Sequence, residues 1–239
     1  MKTYLLIHGS WHGAWCWHKV APRLRHAGHK VIVPDLPGRA ADQSAKMFIS
    51  LNRMTAHVAA AMPKDQKTTI VVHSRYGVLA SNLAQQMPDR IERVIYLASY
   101  MIPSGARAGD YFRQDKGSLI RPHVSINKRK LIDRLAPEIY RDGLYHDCSE
   151  DDIALASSLL CDEPLRPALK KLSLTSDRYG RVPKGYIRLT EDRAVTLALQ
   201  DKCLNETPVD RVEDIHSSHS AYFSKPDELV EKILSINRA

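Results

Sequence analysis

The sequence predicts an α/β fold: a mostly parallel sheet of about six strands with helices on both faces and one helical insertion. Three observations carry this. Short, nearly continuous apolar runs alternate with segments of helical spacing through the first hundred residues, as strands buried on both faces require. The alternation stops after Tyr100 and resumes at Gly185. One apolar run, Thr69–Val72, leads through His73 into a serine, Ser74, with a helix-like segment directly after it.

Taken in order, Tyr4–Ile7 is a short apolar run stopped by His8-Gly9, as in a buried strand. Trp15–Ala27 has helical spacing. Val31–Val33 reads as a second strand, ended by Pro34 and the turn Leu36-Pro37-Gly38. Met47–Met62 reads as a helix closed before Pro63, Thr69–Val72 as the third strand, Gly77–Met87 as its helix and Arg93–Ala98 as the fourth strand. Residues 103 to about 182 offer no buried strand to this reading. They hold helix-like stretches at Lys130–Tyr140 and Asp151–Leu160, with prolines between. Gly185–Leu189 and Val209–Ile215 complete the strands, and Pro226–Asn237 reads as a terminal helix. The expected organisation is a core of residues 1–102 and 183–239, with 103–182 as a helical cap. Such an insertion covers the carboxyl ends of the strands, where open α/β sheets bind ligands.

At 239 residues and 44% hydrophobic, the chain suits one domain with a sizeable core. The formal net charge of +8 raises the question of an anionic partner. The densest basic run, Asn127-Lys128-Arg129-Lys130, has no interleaved aromatic residue and belongs to no nucleic-acid motif. A generally basic surface remains, one that attracts small anions. Cysteines at 16, 148, 161 and 203 form no C-x-x-C pair, which argues against a zinc site or a redox pair. No G-x-G-x-x-G follows a strand. The run Thr3–Ile7 is too short for a signal h-region or a membrane span. The expectations are therefore a cytoplasmic protein with a small-molecule substrate, no cofactor or metal, no nucleic-acid or membrane partner, and a homodimer as the assembly left open.

The chemistry centres on Ser74. A serine on a sharp strand-to-helix turn is held clear of the sheet, and the usual pattern is G-x-S-x-G. Here Val72 and Tyr76 occupy the glycine positions and the nearest glycine is Gly77. The competing reading is a hydroxyl capping the next helix. A serine alcohol needs a base beside it and an acid to orient that base. Asp192 follows the strand Gly185–Leu189, and His219 follows the last strand. Singly, Asp192 reads as a helix cap and His219 as a surface histidine. Together, in the order Ser, Asp, His and each after a strand end, they can be gathered at one edge of the sheet.

At these residues the chain resembles the small plant-type and bacterial esterases related to salicylate methylesterases and hydroxynitrile lyases, within the α/β-hydrolase superfamily. The resemblance covers essentially the whole chain. It is most specific at Leu6-Ile7-His8-Gly9-Ser10-Trp11-His12-Gly13-Ala14-Trp15-Cys16-Trp17, and extends to Pro34–Gly38, Tyr145–Cys148, Val182-Pro183, Glu191–Arg193 and Ser218–Ser220. It implies an α/β-hydrolase fold with Ser74 as nucleophile, His219 as base and Asp192 as orienting acid. The backbone N–H groups of Ser10 and Arg75 would form the oxyanion hole, and His8, His12 and His73 would be structural. His216 competes with His219 for the base; the small residue and aromatic stretch after His219 favour the latter. Arg75, Tyr76 and Trp11 are the expected substrate-binding residues. A guanidinium beside the nucleophile favours a carboxylate, enolate or phenolate, unless it turns to solvent or to an acid of the chain.

The function expected is hydrolysis of a small ester, thioester or lactone through an acyl-serine, with an anionic or polyketide-like substrate in view. A C–C lyase or cyclase acting on a polyketide-like substrate with the same triad stands as the alternative, as does a non-catalytic ligand-binding protein on this fold. Hydroxynitrile lyase chemistry is disfavoured. Gly9 and Ser220 stand where those relatives carry threonine and lysine.

Overall fold

The computed structural model describes residues 1–238 apart from Ala41 and Gln43. Strands and helices alternate at first: β1 (Thr3–Ile7), α1 (Val20–His26), β2 (Lys30–Ile32), α2 (Leu51–Ala61), β3 (Thr68–His73), α3 (Gly77–Gln86) and β4 (Ile91–Leu97). The insertion follows, with α4 (Ala108–Gln114), β5 (Val124–Asn127), β6 (Ile132–Leu135), α5 (Tyr140–Leu144), α6 (Glu150–Leu159), β7 (Glu163–Pro164) and α7 (Arg166–Leu169). The chain then returns through β8 (Lys184–Leu189), α8 (Leu197–Glu206), β9 (Arg211–Ile215), α9 (Ala221–Ser224) and α10 (Pro226–Ile236).

Six strands form one parallel sheet in the order β2-β1-β3-β4-β8-β9. Successive side chains of a strand point to opposite faces, and both faces here are covered. Leu5, Ile7, Ile70 and Val72 pack toward α2 and α3, while Tyr4, Leu6 and Val71 pack toward α1 and α10. That is why the strands read as unbroken apolar runs. The strand order reverses between β1 and β3, which pair from Thr3↔Thr68 to Ile7↔Val72. The loops leaving these two strands therefore diverge from adjacent points, at the crevice where such sheets bind ligands.

The insertion departs from the helical expectation. It holds a three-stranded antiparallel sheet, β5-β6-β7, and β6 is largely buried. The predicted helix Lys130–Tyr140 is instead β6, a 3-10 turn at Pro137–Ile139 and the start of α5. The three-residue spacing of Ile132 and Leu135 imitates a helical face. What overrides it is tertiary: β5 and β7 take the backbone hydrogen bonds of β6, and Asp133 is drawn inward to a charged partner. The predicted helix Asp151–Leu160 corresponds to α6, whose Ser149 accepts a hydrogen bond from Asp152 N at 3.2 Å.

Candidate active site

Ser74 stands at the end of β3 with φ +58°, in the left-handed region that non-glycine residues rarely adopt. Its carbonyl accepts from Ser99 Oγ at 2.6 Å and Tyr100 N at 3.0 Å, which fixes the turn. The absent elbow glycines are explained by their neighbours. Val72 is buried in the sheet core, and Tyr76 turns its ring inward. Close approach is provided by Gly77 and Gly9 instead. A Cβ on Gly77 would lie 2.5 Å from Tyr100 O, and one on Gly9 would lie 2.8 Å from His73 Nδ1 and 3.0 Å from Ser74 Cβ. The glycines sit beside the elbow rather than in it.

His219 and Asp192 meet the serine in a relay. His219 Nε2 lies 3.1 Å from Ser74 Oγ, and His219 Nδ1 lies 2.6 Å from Asp192 Oδ2. The other carboxylate oxygen, Oδ1, accepts from the amides of Ala194 (2.7 Å) and Val195 (2.8 Å). That locks the orientation of Asp192 and leaves Nδ1 as the protonated nitrogen of His219. All three side chains are buried or nearly so. His216, the competing histidine, is largely exposed and lies beside Glu191 and Thr190.

Ser10 follows β1 and comes directly after Gly9, the residue that closely approaches Ser74. Its peptide is pinned: His8 Nδ1 donates to Gly9 O at 2.8 Å, while His8 Nε2 accepts from Leu36 N at 3.1 Å. The Ser10 N–H therefore points the opposite way from a fixed carbonyl. Next along, His12 Nδ1 donates to Ser10 O at 2.7 Å, and His12 Nε2 accepts from the hydroxyls of Tyr145 (2.6 Å) and Tyr222 (3.0 Å). Burial drives His12 down to about 3 and holds His8 and His73 well below the ordinary imidazole range. These three rings are neutral at working pH. His73 Nε2 donates to His219 O at 2.9 Å, and its ring packs 4.3 Å from that of His219.

The polar groups of Trp11, Arg75 and Tyr76 face the insertion, at Asp133 and Glu163. Arg75 makes a two-armed ion pair with Asp133 of β6, at 2.7 and 3.3 Å, and its guanidinium lies 5.3 Å from the Trp11 ring centre. Trp11 Nε1 donates to the same carboxylate at 2.8 Å. Glu163 of β7 accepts from Trp11 N (2.6 Å), Arg39 (2.5 Å) and the Tyr76 hydroxyl. Burial works against the charge on Arg75, but Asp133 and Glu163 outweigh it, and the group stays protonated. Burial, together with Glu163, pushes the Tyr76 hydroxyl up and keeps it a donor. Burial likewise pushes the Asp133 carboxyl up against the pull of Arg75. With nitrogen donors on both of its oxygens, the ionised form is the one this geometry serves.

Two arginines thus face two carboxylates, and Arg75 is already matched by an anion of the chain. Of this network, Arg39, Asp133 and Glu163 were not singled out from the sequence. Asp133 lay inside the misread helix, and no local signal ties Glu163 to it. Beside Arg75 and Asp133 lies a cavity of about 130 Å³, walled by Ala108, Phe112, Val124, Ile126 and Leu165 among others. Among the described residues, no group of three or more His, Cys, Asp or Glu could hold a metal ion. No helix there is long and apolar enough to cross a membrane.

Residues 4–232 match the model of the alpha/beta hydrolase family. Methylesterase 9 of Arabidopsis thaliana is 30% identical over 99% of this chain and 98% of its own length. The putative chloroplastic methylesterase 14 of the same plant is 28% identical over 99% of this chain and 72% of its own. Among solved structures, tomato methylketone synthase I complexed with 2-tridecanone superposes with a TM-score of 0.88 at 25% identity, covering 99% of this chain and 98% of that one. The chain belongs to the alpha/beta hydrolase family and is an ester hydrolase.

Proposed function

We propose that Ser74, His219 and Asp192 are the catalytic triad of this hydrolase and that it cleaves a small neutral ester through an acyl-serine. The observation that carries this is the relay from Asp192 Oδ2 through His219 to Ser74 Oγ, at 2.6 and 3.1 Å, on a serine held at positive φ. In the first half-reaction Ser74 Oγ attacks the ester carbonyl carbon as its proton passes to His219 Nε2. The oxyanion forms against the N–H groups of Ser10 and Arg75, where each such donor contributes about 3–4 kcal/mol. On collapse His219 returns the proton to the departing alkoxide, leaving an acyl ester on Ser74. In the second half, water attacks that ester with His219 as base, and the acid leaves. Asp192 accepts the His219 Nδ1–H throughout and stabilises the imidazolium. The neutral His8, His12 and His73 place no second positive charge against it.

The substrate side of the proposal shifts from the expectation of an anion. Since Asp133 already neutralises Arg75, that guanidinium is not free to pair with a substrate carboxylate, which favours a neutral ester. The methylesterase names of the relatives make methyl esters the first substrates to assay. Four free cysteines, two of them buried, suit a reducing compartment such as the cytoplasm. The test is turnover of short neutral methyl and p-nitrophenyl esters, with mass detection of an acyl adduct on Ser74. Full activity of Ser74→Ala would overturn the proposal.

A further inference from the structure

We propose that the cap carboxylates Asp133 and Glu163 are positioning residues that set the width of the oxyanion hole. This rests on the triad and oxyanion roles proposed above. The two amides in question stand on different pieces of chain, the loop after β1 and the turn after β3. Among the described residues, no hydrogen bond runs directly between residues 9–13 and 74–77. The β1–β3 pairing and the close approach of Gly9 to Ser74 bring the two together, and the finer placement of the loop beyond Gly9 against the turn is left to side-chain bridges.

Both bridges come from the cap, and they share one design. Asp133 accepts from Trp11 Nε1 on the loop (2.8 Å) and from Arg75 Nη1 on the turn (2.7 Å). Glu163 accepts from Trp11 N on the loop (2.6 Å) and from the Tyr76 hydroxyl on the turn. Trp11 directly follows Ser10, and Arg75 and Tyr76 directly follow Ser74. The two carboxylates are themselves cross-strand partners in the β6–β7 pairing, so they hold a fixed spacing. Like charges placed so close repel, and Arg75 and Arg39 offset this. Trp11 is held at φ +62°, a conformation that must be imposed on it. Glu163 on its N–H and Cys161 N on its carbonyl (3.0 Å) supply that constraint. Both acids are almost wholly buried, so the bridges are neither screened nor loosened by water. A cap built only to cover the site would not need acceptors placed one residue from each oxyanion amide.

The experiment compares Asp133→Asn, Glu163→Gln and Tyr76→Phe with the unmodified protein. It measures kcat and KM on a neutral ester, the affinity of a trifluoromethyl ketone, and the affinity of the product acid. The ketone adds Ser74 Oγ to its carbonyl, the hydroxyl proton passing to His219, and so places a real oxyanion in the hole. Displacing a donor by a fraction of an ångström to 1 Å costs up to about a hundredfold. The two acid variants should lose roughly ten- to a hundredfold in kcat with KM within about threefold. Ketone affinity should fall in the same ratio, and product affinity should stay unchanged. Tyr76→Phe removes one hydroxyl and no packing, and should show the same pattern at roughly three- to tenfold; it decides the matter if the acid variants do not fold. Unchanged kcat and ketone affinity, or equal losses of ketone and product affinity, would overturn the proposal. An unmodified protein that forms no adduct between Ser74 and the ketone overturns the serine reading itself, a result separable from failure of the bridges alone.

Discussion

The guanidinium of Arg75 and the carboxylate of Asp133 meet as a buried two-armed pair, Nη1 2.7 Å from Oδ2 and Nη2 3.3 Å from Oδ1. It joins the residue after Ser74 to β6, a strand of the insertion. Removing one partner leaves the other charged and dry, which costs about 3–5 kcal/mol, whereas replacing both by apolar groups is often close to neutral. Arg75→Leu should therefore destabilise the fold by about that amount in urea unfolding, and Arg75→Leu/Asp133→Leu should recover only part of it, because Trp11 Nε1 loses its acceptor. A single variant that loses under about 1 kcal/mol would mean water reaches the pair.

The relay of Ser74, His219 and Asp192 predicts non-additive kinetics. Ser74→Ala and His219→Ala should each lower kcat by several orders of magnitude, and the double variant little further, because each removes the same proton transfer. Asp192→Asn should cost about ten-thousandfold by favouring the wrong tautomer of His219. Steady-state assays on a chromogenic ester decide this; multiplicative losses in the double variant would show that the residues act independently.

The elbow depends on Gly77 rather than on the residue two after the serine. A Cβ there would press on Tyr100 O, a backbone atom, at 2.5 Å. Gly77→Ala should destabilise by about 1–3 kcal/mol and lower kcat, since Tyr100 N and Ser99 Oγ both hold Ser74 O. Unchanged melting and turnover would show that the helix start can shift freely.

The buried histidines predict loss of stability in mild acid. His12 is depressed to about 3, chiefly by burial, and His8 and His73 are also depressed. Unfolded, each binds a proton near pH 6.5, while the folded state does not. The unfolded state then binds more protons, so stability is complete above about pH 6.5 and declines as pH falls toward 3. His12 alone accounts for at most about 5 kcal/mol over that range, at 1.36 kcal/mol per pKa unit. Urea midpoints measured from pH 8 to pH 4 should be level at first and then drop; a level profile down to pH 4 would contradict neutral burial of these rings.

Much of the fold was legible in the sequence because its determinants are local or periodic. Strands buried on both faces must be apolar without interruption, so Tyr4–Ile7, Thr69–Val72 and Gly185–Leu189 each correspond to a strand of the sheet. The order of Ser74, Asp192 and His219 after strand ends was legible for the same reason, since a parallel sheet brings its strand ends to one edge. What only the tertiary structure decided is how distant pieces meet. The Ile132–Leu135 spacing fits a helix equally well, and β6 became a strand only because β5 and β7 lie beside it. The partner of Arg75 lies 58 residues away and that of Tyr76 lies 87 away. No periodicity encodes such pairings. Burial sets them instead: a guanidinium cannot remain charged in a dry interior without an anion, and in the folded chain Asp133 is the anion beside Arg75.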